Sequence, residues 1–425
     1  MLKKTFLLAI ILLFVFVNYS YAGNEELITL RVAWWGSQVR HDRTLAVIDL
    51  FEEQNPNVVI QPIYTSWREY WDRMAVRAAS GNLPDIIQLD YKYFIPYYDN
   101  NLLAKMDSYY HDIIEVSQVD QLLLDSGKYD ENYYAIPAGI NSYGIIYDPA
   151  KFEEAGIEKP RFNWTWEEYI EISKKLTDKL NIYAATSLPM ATKNITGLEH
   201  YVRQYGQEFL NESSTGPGFS SALFEDFYNM DLSLTKKGIY APADLRLENY
   251  TVENDLIVNG KTAMAAYWTN QLLAITEAAG RPLKMVPFPG TKDQLRSAYY
   301  LKPSMFWTIA NNSQHPEIAA KFIDFVTNST EANQILKSDR GIPISLKIRK
   351  FMEPDLTEAE REMFEFIEKI SEYASPIAPP PPPQFDRLLD FLEDLHFQIL
   401  YERITTKEAA EEFRLRVEEI LRDDA

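Results

Sequence analysis

The chain has 425 residues, a formal net charge of -20, 13% aromatic residues and no cysteine. That length suffices for two domains with cores of their own, and the missing thiol excludes disulfides, thiolate zinc sites, thiol catalysis and a lipid anchor on an N-terminal cysteine. So acidic a chain is poorly suited to nucleic acid or an anionic membrane surface as a general partner, although a local basic patch remains compatible with it.

Residues 1–22 read as an export signal. Lys3 and Lys4 form a positive start, an apolar run spans Phe6 to Val17, and Ser20-Tyr21-Ala22 is a small-x-small cleavage pattern. The run is only about a dozen residues, too short to span a bilayer comfortably. An uncleaved anchor is the alternative reading. No later stretch is long and apolar enough to span, so the mature chain is expected to be soluble and exported.

Strand and helix patterns then alternate. "LRVAWWGSQVRH" begins as a buried strand over 28–35 and sets Trp34 and Trp35 side by side where it ends. Strand side chains alternate, so one indole is expected in the core and the other, Trp35, presented to a ligand. A helix is expected from about 42 to 54, with Leu45, Ile48 and Phe51 on one face. "NPNVVIQPI" gives a turn and a second strand. Trp67, Tyr70, Trp71, Met74 and Ala78 follow at helical spacing, with Gly81 as the stop, and "PDIIQLD" is a third strand. The Trp67-Tyr70-Trp71 stripe reads as core, with Trp67 able to face a cleft. This order predicts a parallel sheet with helices on both faces.

"YYAIPAGINSYGIIYD" is long for one strand and is interrupted by Pro137 and Gly139, so it reads as a crossing between two domains. A second α/β region opens at "NWTWEEYIEISKKL", where Thr165 and Glu168 form a capping box. "GKTAMAAYWTN" is another strand. "MVPFPG" reads as a second crossing, "MFWTIAN" and a helix from Pro316 resume the first unit, and "SDRGIPIS" is a candidate third crossing. Pro379 to Pro383 form an extended polyproline spacer, with recognition by a proline-binding partner as the sharper alternative. "TTKEAAEEFRLRVEEIL" is a capped amphipathic terminal helix.

The five histidines (His41, His111, His200, His315 and His396) show no metal-ligand spacing, and no HExxH, GxGxxG, GxxxxGK[ST] or GxSxG occurs. Neither a metal nor a cofactor is expected. Carboxylates are plentiful, and a glycosidase pair is recognised by geometry, so counting does not exclude one. What stands out is aromatic and polar residues at strand ends and crossings: Trp34 and Trp35, Asp90 and Tyr91, Asn141 and Tyr143, Trp268 and Asn270. Ligands of open α/β sheets bind beyond the carboxyl ends of strands, so these residues are expected to converge on one cleft. Packing within a core is the alternative for each tryptophan, and capping a turn is the alternative for Asp90.

The segments "VIDLFEEQNPNVVIQPIYTSWREYWDRMAVRAASGNLPDIIQLD", "YYAIPAGINSYGIIYDPAKFEEAGIEKP", "WTWEEY", "VNGKTAMAAYW", "IAAKFIDFV" and "RGIPIS" come in an order and spacing that resembles the extracellular solute-binding proteins of ATP-driven sugar importers, the group that includes maltodextrin-binding protein. The resemblance covers essentially the whole mature chain. It implies an α/β fold of two lobes, each a sheet flanked by helices, that hinge and close on a sugar. One lobe would be 23–138 with 287–333, the other 139–286 with 334–425. It implies ligand contacts at Trp35, Gly36, Ser37, Gln38, Asp90, Tyr91, Asn141, Trp268, Ser304, Met305 and Arg340, to which the reading of strand ends and crossings adds Tyr143 and Asn270, and the start of the second helix Trp67. Ala266-Tyr267 stands where many members have Gly-Pro, a departure in the local backbone. The implied protein is no enzyme. It is a monomeric, periplasmic carrier that hands an oligosaccharide to a membrane permease. "WWGSQVRH" looks like members that take up pectin-derived sugars. Arg40, His41 and Arg43 at a helix start could then read uronate carboxylates, with a solvated helix start as the alternative. The reading from another class is a secreted glycoside hydrolase or polysaccharide lyase.

Overall fold

The computed structural model describes residues 27–188, 195–247, 252 and 254–422. The expected export signal lies outside the described residues. β1 (Ile28–Trp35), α1 (Gln38–Gln54), β2 (Val58–Thr65), α2 (Trp67–Ala79) and β3 (Ile86–Leu89) follow the expected alternation. α1 starts earlier than expected because Ser37 is extended and its hydroxyl accepts the Arg40 N–H at 3.4 Å as a helix cap. Arg40 and His41 therefore occupy the first helical turn.

The apolar stretch after residue 132 is cut into β4 (Ile136–Pro137), β5 (Ile140–Asn141) and β6 (Tyr143–Tyr147). Pro137 has no N–H with which to extend a ladder, and β4 ends on it. α3 (Trp166–Leu180) carries the expected box: Glu168 N–H donates to Thr165 Oγ1 at 3.3 Å, and Thr165 N–H to Glu168 Oε2 at 2.8 Å. Then come β7 (Tyr183–Ala185), α4 (Thr196–Gln204), β8 (Thr262–Trp268), β9 (Lys284–Val286), β10 (Lys302–Pro303), β11 (Phe306–Ile309) and α5 (Pro316–Asn328). Near the end lie α6 (Phe385–Leu400) and α7 (Thr406–Arg422).

Two main sheets result. The first has the order β2-β1-β3-β11-β4, parallel from β2 to β3 but antiparallel where β11 meets β3 and β4. It is thus a mixed sheet, not the purely parallel one that the strand-helix alternation predicts, because β11 returns from far along the chain. The second has the order β9-β6-β8-β7. Helices flank both, giving two lobes.

Three passes of chain lie side by side between the sheets. β5 pairs with β10 antiparallel, Asn141 opposite Lys302, and Ile342 bridges Ile140 on the other side, with N–H to carbonyl distances of 2.8 and 3.2 Å. The run "MVPFPG", expected to cross, does not. β9 belongs to the second sheet, Trp164 Nε1 donates to the Pro287 carbonyl at 2.7 Å, and Phe288 is buried against Tyr143 and His200. Its two prolines lie in a buried irregular stretch, and the pass back to the first sheet waits for β10. A Cβ on Gly139 would stand 2.2 Å from the Arg340 carbonyl oxygen. Gly139→Ala is therefore expected to pry these passes apart and cost about 1–3 kcal/mol. A lower urea midpoint with an unchanged slope is the expected reading; an unmoved midpoint would mean that the contact relaxes freely.

Alternation along β1 works as expected but covers both indoles. Leu30, Val32 and Trp34 enter the main core, while Ala33 and Trp35 enter a second cluster on the opposite face. Trp35 is only 6% exposed. The expectation that it is presented fails because α2 lies over that face: Trp67, Tyr70 and Trp71 surround it at ring-centroid distances of 4.9, 5.2 and 5.4 Å.

Candidate functional site

A cleft of about 770 Å³ opens between the segment after β3 and the end of β8. Its walls include Asp90, Tyr91, Lys92 and Tyr93 on one side, and Glu199, Trp268, Tyr300 and Lys302 on the other. The chain from Pro376 to Pro383 forms a further wall.

On the first side, the Asp90 carboxylate accepts the Lys92 N–H at 3.1 Å and so caps the short turn Tyr91–Tyr93. Asp90 thus both caps and lines the cleft. Tyr93 stacks on Trp71 with centroids 3.8 Å apart, and Trp71 leans on Trp35. The adjacent tryptophans of β1 therefore serve the cleft indirectly. Trp34 fills the core, and Trp35 backs the aromatic tier that ends in Tyr93.

On the second side, Trp268 is part-buried and meets Tyr143 edge-on at 5.5 Å, with Lys302 Nζ 5.8 Å from its ring centroid. Tyr300 OH donates to Glu199 Oε2 at 2.9 Å. Burial holds the Glu199 carboxyl above the ordinary carboxylate range, and Arg203 and the Tyr300 hydroxyl offset part of that. The cleft's carboxylates outnumber its cations: Asp90, Glu199, Glu208, Glu212 and Asp386 against Lys92, Arg296 and Lys302. Lys92 is paired with Asp386 and Arg296 with Glu208.

Of the expected contacts, Asp90, Tyr91 and Trp268 line this cleft. Gly36, Ser37 and Gln38 form the start of α1, where Gln38 bonds Asp42 at 2.7 Å. Arg40 pairs with Asp339 at 2.7 Å and also donates to the Asp339 carbonyl at 2.8 Å. His41 is buried beside Trp34, whose Nε1 donates to its Nδ1 at 3.1 Å; burial and the charges of Arg40 and Arg340 push its pKa down. Arg43 donates to the Leu336 carbonyl at 3.4 Å. The basic cluster thus turns toward the third pass. Trp67 is 40% exposed outside the cleft, and Asn270 is exposed. Asn141 accepts from Thr269 at 3.3 Å, and Tyr143 is fully buried beneath Trp268. Ser304 donates to the Arg340 carbonyl, while Met305 accepts the Ala138 N–H at 2.8 Å. Arg340 is buried, bonded to Gln88 and Thr44 at 2.9 Å each, and lies over the Trp307 ring.

Sequence reading missed Lys92, Tyr93, Glu199, Tyr300, Lys302 and the proline wall. The available signal was the proline run itself. Five successive residues without N–H cannot sustain a strand ladder, so such a run offers only rings and carbonyls to whatever lies beside it. Among the described residues, no group of three or more His, Asp or Glu side chains is arranged to hold a metal ion. Among those residues, too, no helix is long and apolar enough to cross a membrane.

A family model described as "Bacterial extracellular solute-binding protein" matches residues 41–333. A multiple sugar-binding protein of Streptococcus mutans is 24% identical over 355 residues, covering 78% of each chain. A family 1 extracellular solute-binding protein of Alicyclobacillus acidocaldarius superposes with a TM-score of 0.83 at 27% identity, over 94% of this chain and all of that one. A periplasmic oligogalacturonide-binding protein of Yersinia enterocolitica superposes with a TM-score of 0.78 at 21% identity, over 93% of this chain and 99% of that one.

Proposed function

Because this chain belongs to the bacterial extracellular solute-binding protein family, we propose that it captures an oligosaccharide between its lobes and delivers it to the permease of an ATP-driven importer. It acts as a monomer outside the cytoplasmic membrane, without turnover. The lobes are divided at the three passes marked by β5, β10 and Ile342. The carrying observation is Trp268, a flat indole set across the cleft from Asp90 and Tyr91. A pyranose ring has an apolar C–H face for an indole and a rim of hydroxyls for a carboxylate and a phenol. The names of the Streptococcus and Yersinia proteins support a sugar.

The pectin-derived reading rested on the likeness of "WWGSQVRH" to members that take up such sugars, with Arg40, His41 and Arg43 as the residues that would read a uronate. Arg40 is paired with Asp339, and His41 is packed under aromatics. Their place supports a structural role beside the third pass instead. Without that cluster the start of α1 offers no uronate contact, and the ligand is a hydroxyl-rich sugar.

Thermal shift over neutral and acidic oligosaccharides tests the reading. A ligand at 100 times its Kd is expected to stabilise the protein by about 2.7 kcal/mol. No shift with any sugar would sink the proposal. New reducing ends or unsaturated uronates in the same mixtures would overturn the absence of turnover and favour the hydrolase or lyase.

A further inference from the structure

The proline run is more than a spacer. Its first anchor is deep in the second lobe. Arg203, fully buried, donates to Ser375 Oγ and to the Pro376 carbonyl, both at 2.7 Å. Its far end runs into α6, whose Phe385 packs edge-on against Phe209 at 6.1 Å. Between these anchors it reaches across to the first lobe. Tyr91 OH donates to the Ala378 carbonyl at 2.5 Å, and Lys92 Nζ pairs with Asp386 at 3.1 Å. Ile377 packs against the aromatic cluster of the first lobe as well as the main core.

The chemistry of this strap is one-sided. Five successive prolines present no N–H, so the backbone can accept hydrogen bonds but cannot donate them. Among the described residues the carbonyls of Pro379, Pro380 and Pro381 accept none. A polyproline segment has no internal hydrogen bonds and loses little entropy when a ligand settles on it. Its pyrrolidine rings offer an apolar surface.

We propose that residues 376–383 form a second recognition wall of the sugar site, facing Trp268, that accepts hydroxyl hydrogen bonds, covers C–H faces and disfavours carboxylates. The proposal rests on the sugar-binding reading above. A uronate would set its carboxylate against carbonyls and against a cleft already rich in acids, whereas a neutral glycan brings only donors and C–H groups. Because Tyr91 holds the strap from the opposite lobe, the wall also joins the two halves of the site.

The test is calorimetric titration with neutral tri- to hexasaccharides of the malto-, xylo- and arabino- series and with oligogalacturonides of the same lengths. Wild type is expected to bind a neutral member and to bind oligogalacturonides at least about tenfold more weakly. Replacing Pro379 to Pro383 by alanine restores N–H groups and flexibility, and is expected to weaken the neutral ligand roughly tenfold. The milder double variant Pro380→Ala/Pro381→Ala, checked by melting, is expected to lose about threefold and keeps the test valid if the longer replacement fails to fold. Unchanged affinity in either folded variant overturns the wall. Preference for oligogalacturonide overturns its acceptor-only character while leaving the sugar reading intact. A wild type that binds no member of either set removes the sugar reading, and the wall with it.

Discussion

Trp268→Ala is expected to weaken sugar binding by nearly two powers of ten while leaving the melting temperature close to that of wild type. Trp268 ends β8, part-buried, with Tyr143 below it and Lys302 beside it. An indole covering a pyranose face removes on the order of 100 Å² of apolar surface from water, worth roughly 2.5 kcal/mol at about 25 cal/mol per Å². At about 1.4 kcal/mol per tenfold, that is a factor just under one hundred. A core tryptophan behaves differently, since truncation would leave a cavity costing about 3–5 kcal/mol of stability. One variant, assayed by titration and by melting, separates the two. Early melting with normal affinity would return Trp268 to the core and remove the observation on which the proposed function stands.

The protein is also expected to lose stability on mild acidification, chiefly through His200. This ring is fully buried on α4. Its Nε2 donates to the Pro289 carbonyl at 3.3 Å, and its Nδ1 lies 3.2 Å from the Tyr143 hydroxyl. Burial pushes its pKa down to about 3; the Pro289 carbonyl opposes this and the nearby Arg203 adds to it. The folded value thus lies below the value of about 6.5 in an unfolded chain. The unfolded state therefore takes up the proton first as the pH falls. The stability is complete above about pH 6.5 and declines by about 1.4 kcal/mol per pH unit toward pH 3. Between pH 6.5 and 5, where ordinary carboxylates stay mostly ionised, the loss is about 2 kcal/mol. The raised carboxyl of Glu199 works in the opposite sense, so the comparison is made against His200→Gln in the same window. The variant should start less stable and show a flatter dependence on pH. An equal slope in both proteins would assign the acid sensitivity to other groups.

Much of the fold was legible because its signals are local. The span of β1 follows from its run of apolar residues, and the start of α3 follows from the Thr165–Glu168 box. The start of α1 was misplaced because the apolar face begins several residues after Ser37, which sets the true cap. "MVPFPG" misled because proline and glycine interrupt a strand wherever the chain leaves it, and only tertiary contacts with Trp164 and Tyr143 keep this stretch buried in the second lobe. The cleft was less legible than the fold. Asp90, Tyr91 and Trp268 sit at strand ends, where the general rule for open sheets looks. Glu199, Tyr300 and the proline strap come from a helix and irregular chain far apart in sequence, and no spacing connects them. Arg40 and His41 shared a segment with plausible site residues, but their direction depended on Asp339, Trp34 and Tyr64.

The position of β11 also governs when the first lobe can be completed. β11 lies between β3 and β4, so β4 has no neighbour in that sheet until Phe306 to Ile309 have been made. A nascent chain of 300 residues would hold β1, β2 and β3 with one edge of β3 unpaired, and that strand, Ile86 to Leu89, is apolar except for Gln88. Bare apolar edges recruit other strands. During synthesis, at roughly 5–20 residues per second, the second sheet has all its strands before the first has its last one. The sheet that begins first therefore receives its last strand after the other is complete, and the β3 edge stays open to neighbouring chains until β11 emerges.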